Sequence, residues 1–359
     1  MASSREFYSP PTSVSIDPMN NSKKPKIALI FGGPSMESPI SCISAQSIWK
    51  NIDRDKFEPI AIAWANNRKF YASDNIESLI LNPNDPNLAE INISNSTPVQ
   101  LEDLNLDGAF NIVHGHEGED GVLQGKLTSL GIRCVGSGVL GSAISFHKDI
   151  CKRILQSHGL PVVPWVSISR GQIFPENMNI DFPVFVKPAA GGSSVAVSKV
   201  KHADELIEAM ETAFVECKDI LIEQGLKARE LECAFMLGEA SGVGEIIPNH
   251  EFYSWEAKYI DPNGARIQIK ADIPDALKED IRQMSIDACT ALKIKGLARC
   301  DFFYDEENKQ LFINEINTLP GFTAISMFPQ LWEDAGVSFK EQVSKLIFSI
   351  LPGQSIAIG

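Results

Sequence analysis

Two hydrophobic periods alternate along this chain. Short apolar runs such as PKIALIFGG (25–33) and FEPIAIAW (57–64) predict buried parallel strands, and ISAQSIWKNI (43–52) between them has the apolar spacing of a helix. GAFNIVHG (108–115) predicts another strand with polar residues at its carboxyl end, which is where open α/β sheets place ligand groups. The first part of the chain is therefore predicted to be an α/β domain that ends near Gly136.

The middle of the chain changes to a different pattern. A helix predicted over 146–158 leads through GLPVVPWV to the strands FPVFVKP and SVAVSKV, which are joined by AAGGSS. This order predicts a β-hairpin with a flexible tip. A helix near 203–217 and the strand DILIEQ are predicted to follow.

The last third of the chain is predicted to combine strands with two long helices. ELECAFML, GEIIPNH, LARCDFFYD and QLFINEIN have strand patterns, and helices are predicted over 275–293 and 338–350. Residues 250–272 have only weak periodicity. Long connections of this kind are often active-site lids, so we expect one here.

Length and composition limit the class of protein. At 359 residues the chain exceeds the size at which one core keeps growing, which predicts two or three domains. Residues 1–24 are rich in Ser, Pro and Asn and lack the apolar block of a secretory signal, so we expect a disordered leader. No apolar run approaches the roughly 20 residues of a membrane span, which predicts a soluble protein without a membrane partner.

Charge and cysteine usage narrow the class further. The net charge of −14 opposes binding to nucleic acid, because the phosphate backbone would be repelled. The seven cysteines show no C-x-x-C spacing, and their odd number argues against a disulfide framework. A cytoplasmic location fits this usage best.

Four polar residues near the end of the chain form two pairs. Arg299 and Asp301 lie on one predicted strand and Glu315 and Asn317 on the next, and a spacing of two places each pair on one sheet face. An antiparallel register that pairs Asp301 with Glu315 also brings Arg299 opposite Asn317. The side-chain oxygens of Asp301, Glu315 and Asn317 are hard ligands suited to a Mg²⁺ ion that is also bound by phosphates. A solvated sheet face with cross-strand ion pairs would have the same sequence pattern.

A second group of residues suggests an anion site. Lys187 ends a strand just before PAAGGSSV, whose successive N–H groups could surround a phosphate, although most such tips are only turns. The loop lacks G-K-[ST] and is not a Walker P-loop. Glu223 and Glu230 are candidate acceptors for an adenine amino group and ribose hydroxyls, with surface charges as the alternative.

Two sites in the first domain are open to more than one interpretation. His114 precedes Glu119 and Asp120 in HGHEGEDG, which is compatible with zinc but more typical of hydrogen bonds within a loop. Glu37, near the start of the first predicted helix, is either functional or a favourable charge at a helix amino terminus.

Seven stretches, in order along the chain, carry a family resemblance. GGPSMESPIS, HGHEGEDGVLQG, GSGVLGSAISFHKD, PVFVKPAAGGSSVAVSKV, EAKY, GLARCDFFY and NEINTLPGFTAISMFP resemble motifs of the D-alanine–D-alanine ligase family, within the ATP-grasp superfamily. The resemblance covers nearly all of residues 26–350. AAGG in place of charged residues, and His147, depart from the usual pattern without removing any residue with an implied role.

The resemblance implies an α/β fold of three domains. These are an N-terminal domain with a Rossmann-like parallel sheet (25–136), and two α+β domains (137–226 and 227–359) whose antiparallel sheets sandwich ATP. It also implies a homodimer and a role in peptidoglycan precursor synthesis, and hence in cell wall biogenesis and cell shape.

The resemblance also implies a role for individual residues. The residues implied to bind ATP are Lys148, Lys187, Ser194, Glu223, Gln224, Leu226, Glu230 and Lys258. Those implied to bind D-alanine are Glu37, His114, Arg299, Gly321, Ser326 and Met327. Those implied in catalysis are Glu37, Ser193, Tyr259, Arg299 and Gly321. Asp301, Glu315 and Asn317 are implied to bind two Mg²⁺ (or Mn²⁺) ions.

The implied reaction is the ligation of two D-alanine molecules through a D-alanyl phosphate. Two alternatives stay open at this point. One is a depsipeptide ligase that accepts D-lactate, against which Tyr259 argues because such variants usually lack this tyrosine. The other is a non-catalytic nucleotide-binding regulator, which should have lost a metal ligand or Arg299, and this chain has kept them.

Overall fold

The computed structural model describes residues 23–83, 85, 88–173, 180–248 and 265–353. Its strands are β1 Lys26–Gly32, β2 Glu58–Trp64, β3 Phe70–Ser73, β4 Ile80–Leu81, β5 Glu90–Ile91, β6 Pro98–Val99, β7 Gly108–Asn111, β8 Trp165–Ser169, β9 Val184–Pro188, β10 Ser198–Val200, β11 Asp219–Gln224, β12 Arg229–Met236, β13 Glu239–Pro248, β14 Ala265–Gln268, β15 Leu297–Asp305 and β16 Gln310–Asn317. Its helices are α1 Ser38–Asn51, α2 Val122–Ser129, α3 Val139–Phe146, α4 Lys148–Ser157, α5 Leu206–Glu216, α6 Asp275–Ala291, α7 Met327–Asp334 and α8 Phe339–Phe348.

The first sheet has the strand order β6-β3-β2-β1-β7. β1 runs parallel to both β2 and β7, as predicted, and the antiparallel β3 and β6 extend one edge. Alternate residues of β1 enter two separate cores, with Leu29 and Phe31 on one side and Ala28 and Ile30 on the other. Burial on both faces explains why this strand is an unbroken apolar run.

The other two large sheets are antiparallel. One has the order β10-β9-β11-β8 and the other β14-β13-β12-β15-β16. In the first of these, Val186 and Ile222 pack in a core with α5, while Phe185, Lys187 and Glu223 occupy the opposite face and line a cleft. This alternation between a core face and a ligand face is the period-two pattern of a half-buried sheet.

The end of the chain returns to the first sheet. After β16, Leu319 and Phe322 join the core beneath β1, together with residues of α7 and α8. The ring of Phe322 lies 5.9 Å from that of Phe110 on β7, and Phe348 lies 4.9 Å from Phe57. Residues more than two hundred positions apart therefore build one core, which fixes the segment after β16 against the first sheet.

Several predicted elements differ in detail from those observed. The helix predicted over 146–158 begins at Lys148, because His147 has an extended backbone (φ −90°, ψ 98°) that separates α3 from α4. The pattern did not reveal α7 or the strand β14 within 250–272. Residues 1–22, which contain most of the predicted leader, and residues 249–264 lie outside the described part of the chain. Within the part that is described, every helix is too short or too polar to cross a membrane.

Candidate active site

Two adjoining clefts open on the ligand faces of the antiparallel sheets. The first, here called the inter-sheet cleft, has a volume of about 550 Å³ and lies between β9, β11 and the end of β16. The second, the junction cleft, has about 650 Å³ and lies where β12, β15 and β16 meet α1 and the loop after β7. Both clefts are lined by Lys148, Gly191, Gly192, Ser193, Glu230 and Glu315. Two ligands bound in these clefts would therefore meet at this shared border.

The inter-sheet cleft carries two of the predicted lysines. Lys187 ends β9, and its Nζ lies 2.5 Å from Oε2 of Glu223 on β11. Lys148 begins α4, and its Nζ donates a hydrogen bond of 2.5 Å to the carbonyl oxygen of Gly191. Burial lowers the pKa of Lys148 although the Glu315 carboxylate opposes this shift. The two ammonium groups approach the glycine- and serine-rich loop, as an anion site requires.

Other predicted residues line the same cleft. Leu226, Ser194 and Glu230 are among them, and Ser194 has a left-handed backbone with φ 58°. The side chain of Gln224 is engaged within the protein, because it accepts a hydrogen bond of 2.7 Å from the N–H of Asp181 and donates one of 2.7 Å to the carbonyl of the same residue. The amide group of Gln224 is therefore already engaged within the protein.

Sequence reasoning missed Lys152, which lies one helical turn after Lys148 on α4. Its Nζ is 2.9 Å from Oε1 of Glu223, and both side chains are almost completely buried. Burial by itself would raise the pKa of Glu223, but the ammonium groups of Lys152 and Lys187 hold it below its ordinary value. The only sequence signal was the i, i+4 spacing of two lysines, which is common on exposed helix faces.

The predicted register of β15 and β16 is confirmed. Asp301 lies opposite Glu315 and Arg299 lies opposite Asn317, and a bulge follows where Phe302 pairs with Ile313. Asp301, Glu315, Asn317 and Arg299 all line the junction cleft. The spacing of two explains why the two pairs occur together, because side chains alternate along a strand, whereas the bulge sets the register that brings Asp301 opposite Glu315.

Arg299 lies between two carboxylates. Its Nε and Nη2 each donate a 2.7 Å hydrogen bond to one oxygen of Asp301, and Nε lies 3.1 Å from Oε2 of Glu232 on β12. Burial would lower the pKa of Arg299, but Asp301 and Glu232 together raise it well above its ordinary value. Glu232, a carboxylate that sequence reasoning missed, follows Glu230 by two positions on the same strand.

The three predicted metal ligands have the chemistry that Mg²⁺ requires but do not enclose an ion by themselves. In residues 23–353, apart from the undescribed gaps, no three His, Cys, Asp or Glu side chains are grouped closely enough to hold a metal. Asp301 and Glu315 supply two carboxylates and Asn317 an amide, which suits an ion whose remaining positions are filled by phosphate and water. The donor set therefore fits a metal that arrives with a nucleotide.

Glu37 and Ser193 connect the first domain with the glycine- and serine-rich loop. Ser193 Oγ donates a short hydrogen bond to Oε1 of Glu37, across 156 positions of sequence. Glu37 occupies the N-cap of α1, yet its side chain makes no capping hydrogen bond. The carboxylate therefore lies at the helix amino terminus, where its charge is favourable, but it does not cap the helix by a hydrogen bond. Lys258, predicted to bind ATP, and Tyr259, predicted to act in catalysis, lie outside the described residues.

His114 makes its hydrogen bonds outside its own loop, which differs from the predicted hydrogen bonds within the loop. Its Nδ1 lies 3.1 Å from the carbonyl oxygen of Leu319, and its Nε2 lies 3.1 Å from Oγ of Ser44. The carboxylate of Glu119 is 3.5 Å from Nδ1. Burial raises the pKa of Glu119, and the nearby charge of Glu37 adds to this shift while His114 opposes it. These contacts hold the loop after β7 against the segment after β16.

The segment after β16 supplies the far wall of the junction cleft. Ser326 is the N-cap of α7, and its Oγ accepts a 3.1 Å hydrogen bond from the N–H of Thr323. A Cβ at Gly321 would lie 3.0 Å from Oγ of Ser326, so the missing side chain keeps the two close. Met327 is buried at the first turn of α7. A helix amino terminus facing a cleft favours a carboxylate.

Comparison with known proteins gives one consistent family. The family model described as D-ala D-ala ligase N-terminus matches residues 26–137, and the model described as D-ala D-ala ligase C-terminus matches residues 154–348. The curated D-alanine–D-alanine ligase A of Chromobacterium violaceum is 42% identical over 347 residues, which cover 90% of this chain and 94% of the relative.

Solved structures agree with these matches. The structure of the VanG D-Ala:D-Ser ligase from Enterococcus faecalis superimposes with a TM-score of 0.80 at 28% identity, covering 90% of this chain and 99% of the other. The D-alanine–D-alanine ligase from Bacillus anthracis, solved in complex with ATP, gives 0.71 at 28% identity, covering 90% and 96%. The extent of these matches, over both halves of the chain, shows that the protein belongs to the D-alanine–D-alanine ligase family and has the ATP-grasp fold.

Proposed function

We propose that this protein uses ATP to ligate two D-alanine molecules into D-alanyl-D-alanine, a precursor for peptidoglycan. The observation that carries the proposal is the shared border of the two clefts, where Lys148, the loop 191–193 and Glu315 face both. A phosphoryl donor in one cleft and an amino acid in the other would meet there. This arrangement serves phosphoryl transfer, in which positioning and charge stabilisation supply most of the catalysis.

We propose that ATP occupies the inter-sheet cleft. Glu223 and Leu226 would hold adenine, and Glu230 would hold the ribose. Lys148, Lys187 and the undescribed Lys258 would contact the phosphates, together with the N–H groups of the loop around Ser194. The support is that Lys148, Lys187, Ser194, Glu223, Leu226 and Glu230 all line one cleft.

We propose Asp301, Glu315 and Asn317 as the ligands of two Mg²⁺ or Mn²⁺ ions. Bound divalent ions would neutralise phosphate charge during transfer. Arg299 bonds both oxygens of Asp301, so it fixes the orientation of this carboxylate before any ion is bound. This pre-set orientation is the contribution of the protein chain to the metal site.

The junction cleft is the proposed D-alanine site. Glu37 would bind the ammonium group of the first D-alanine, and Ser326 at the N-cap of α7 would bind its carboxylate. This carboxylate would attack the γ-phosphorus and displace ADP to form an acyl phosphate. The neutral amine of the second D-alanine would then attack the carbonyl carbon and lose a proton as the amide forms. Arg299 and the N–H of Gly321 would stabilise the oxyanion before phosphate leaves.

A product assay tests the proposed function directly. Incubation with Mg-ATP and D-alanine should release ADP, phosphate and D-alanyl-D-alanine in equal amounts. Parallel reactions with D-lactate as second substrate test the depsipeptide alternative. Parallel reactions with D-serine test the specificity named for the VanG relative. ADP formed without dipeptide would refute the proposal in favour of another acceptor, and nucleotide binding without turnover would refute it in favour of a regulator.

We also propose a cytoplasmic homodimer. Free thiols at all seven cysteines, each of which lies in the described part of the chain, and ATP as the proposed substrate support the compartment. The dimer rests on the family resemblance. Light scattering at catalytic concentrations should give twice the monomer mass of 39.4 kDa.

A further inference from the structure

Lys152 is a buried lysine without a role in the proposed mechanism. Only 3% of its side chain is exposed, and it is not among the described residues that line either cleft. Its ammonium group lies 2.9 Å from Glu223 and 3.1 Å from the carbonyl oxygen of Val163, and it lies over the ring of Trp165. A lysine is rarely buried to this extent unless it is paired, so its contacts with the protein are specific.

The two lysines that bind Glu223 differ in what else they can reach. Lys187 lines the inter-sheet cleft and contacts Oε2, whereas Lys152 does not line the cleft and contacts Oε1. The register explains the first contact, because Lys187 lies opposite Leu221 and Phe185 lies opposite Glu223, on the same sheet face. A phosphate in the cleft would therefore compete for Lys187 but not for Lys152.

We infer that Lys152 is a positioning residue for adenine recognition. It fixes the Glu223 carboxylate through Oε1 when Lys187 transfers from Oε2 to a nucleotide phosphate. The released Oε2 then accepts a hydrogen bond from the 6-amino group of adenine. The inference rests on the proposed binding of ATP in the inter-sheet cleft. It adds Lys152 as the residue that keeps the adenine-binding carboxylate of Glu223 charged and oriented.

The inference follows from the cost of an unpaired buried charge. Glu223 has only 3% of its surface exposed, and without Lys152 it would lose the remaining ammonium group that contacts it, among the described residues, at the moment that Lys187 moves to a phosphate. The carboxyl group would then take up a proton or turn away. A protonated carboxyl can donate to a 6-oxo purine as readily as it accepts from a 6-amino purine, so base discrimination would be lost.

The test compares ATP with ITP, whose base has an oxygen in place of the amino group. Lys152→Met should weaken binding of Mg-ATP about tenfold or more, because the 6-amino group of adenine would lose its hydrogen bond to the charged Glu223 carboxylate. The preference for ATP over ITP should fall by a similar factor. We expect kcat at saturating ATP to stay within about twofold, because Lys152 does not contact the reacting atoms. Lys152→Arg should restore the preference.

Arg153→Met is the matched control, since it removes the neighbouring cation of α4, whose side chain is 60% exposed. It should leave both affinities unchanged. If Lys152→Met does not fold, Lys152→Gln takes its place with the same expectation. Equal loss of affinity for ATP and ITP, or no loss for either, would overturn the inference.

Calorimetric titration with Mg-ATP and Mg-ITP measures binding without turnover. It therefore tests the role of Lys152 separately from the proposed ligase activity. A wild-type protein that binds ATP but makes no dipeptide refutes the ligase activity and leaves the role of Lys152 open to the same measurement. A wild-type protein that binds no ATP overturns both.

Discussion

Arg299 on β15 contributes both to the stability of the sheet that contains β12, β15 and β16 and to the proposed chemistry. Its removal should therefore reduce both stability and turnover. In Arg299→Met, Glu232 and Asp301 lie directly opposite each other on β12 and β15 without their shared cation. Two carboxylates roughly 5 Å apart repel by about 3 kcal/mol at an effective dielectric constant of about 20. Removing one partner of a buried ion pair typically costs about 3–5 kcal/mol, so we expect a loss in this range.

The assay is urea unfolding followed by circular dichroism, analysed with a common slope for all variants. The double variant Arg299→Met/Glu232→Gln should recover about 2 kcal/mol or more, because one of the two repelling charges is gone. Glu232→Gln alone is the control and should cost only about 1 kcal/mol, since Arg299 keeps both hydrogen bonds to Asp301.

Turnover of Arg299→Met should fall by roughly 10²–10³, which is typical for the loss of one oxyanion donor. The recovered stability of the double variant should not restore this activity. A stability loss below about 1 kcal/mol in Arg299→Met, or no recovery in the double variant, would refute the electrostatic account of the site.

Three further changes test other parts of the site. Glu315→Gln should abolish ligase turnover while leaving the fold intact, because a proposed metal ligand loses its charge; near-normal turnover at ordinary Mg²⁺ would contradict the metal site. Tyr259→Phe should retain use of ATP but shift products toward the D-lactate depsipeptide by about tenfold in competition assays, and an unchanged product ratio would remove Tyr259 from the proposed set. Burial raises the pKa of Glu119 in the folded state, so folding favours its neutral form and the protein loses stability as pH rises through that pKa. Glu119→Gln should therefore be more stable than wild type at about pH 8, with the difference vanishing below about pH 4, as thermal melting across this range would show.

The sequence by itself determined the local parts of the site. Two spacings of two determined that Arg299 would face Asn317 if Asp301 faced Glu315, because side chains alternate along a strand. The register itself depends on the bulge between Asp301 and Phe302, because the pairs nearer the turn would otherwise place Asp301 opposite Asn314. The parallel strands β1, β2 and β7 followed from unbroken apolar runs, since strands buried on both faces need no polar positions. The boundaries of helices were less determined, as His147 shows, because one residue with an extended backbone divides an otherwise helical pattern.

Only the tertiary structure decided which distant residues meet. Ser193 reaches Glu37 across 156 positions, and His114 reaches the carbonyl of Leu319 across 205, by sheet packing that no local period encodes. Lys152 shows the same limit. Its sequence pattern is that of an exposed helix face, and it became a buried counterion because the fold places α4 beside the Glu223 carboxylate of β11. Periodicity reports which face of an element is apolar, but the partner of a buried charge is set by how the elements are stacked, and that is a property of the whole fold.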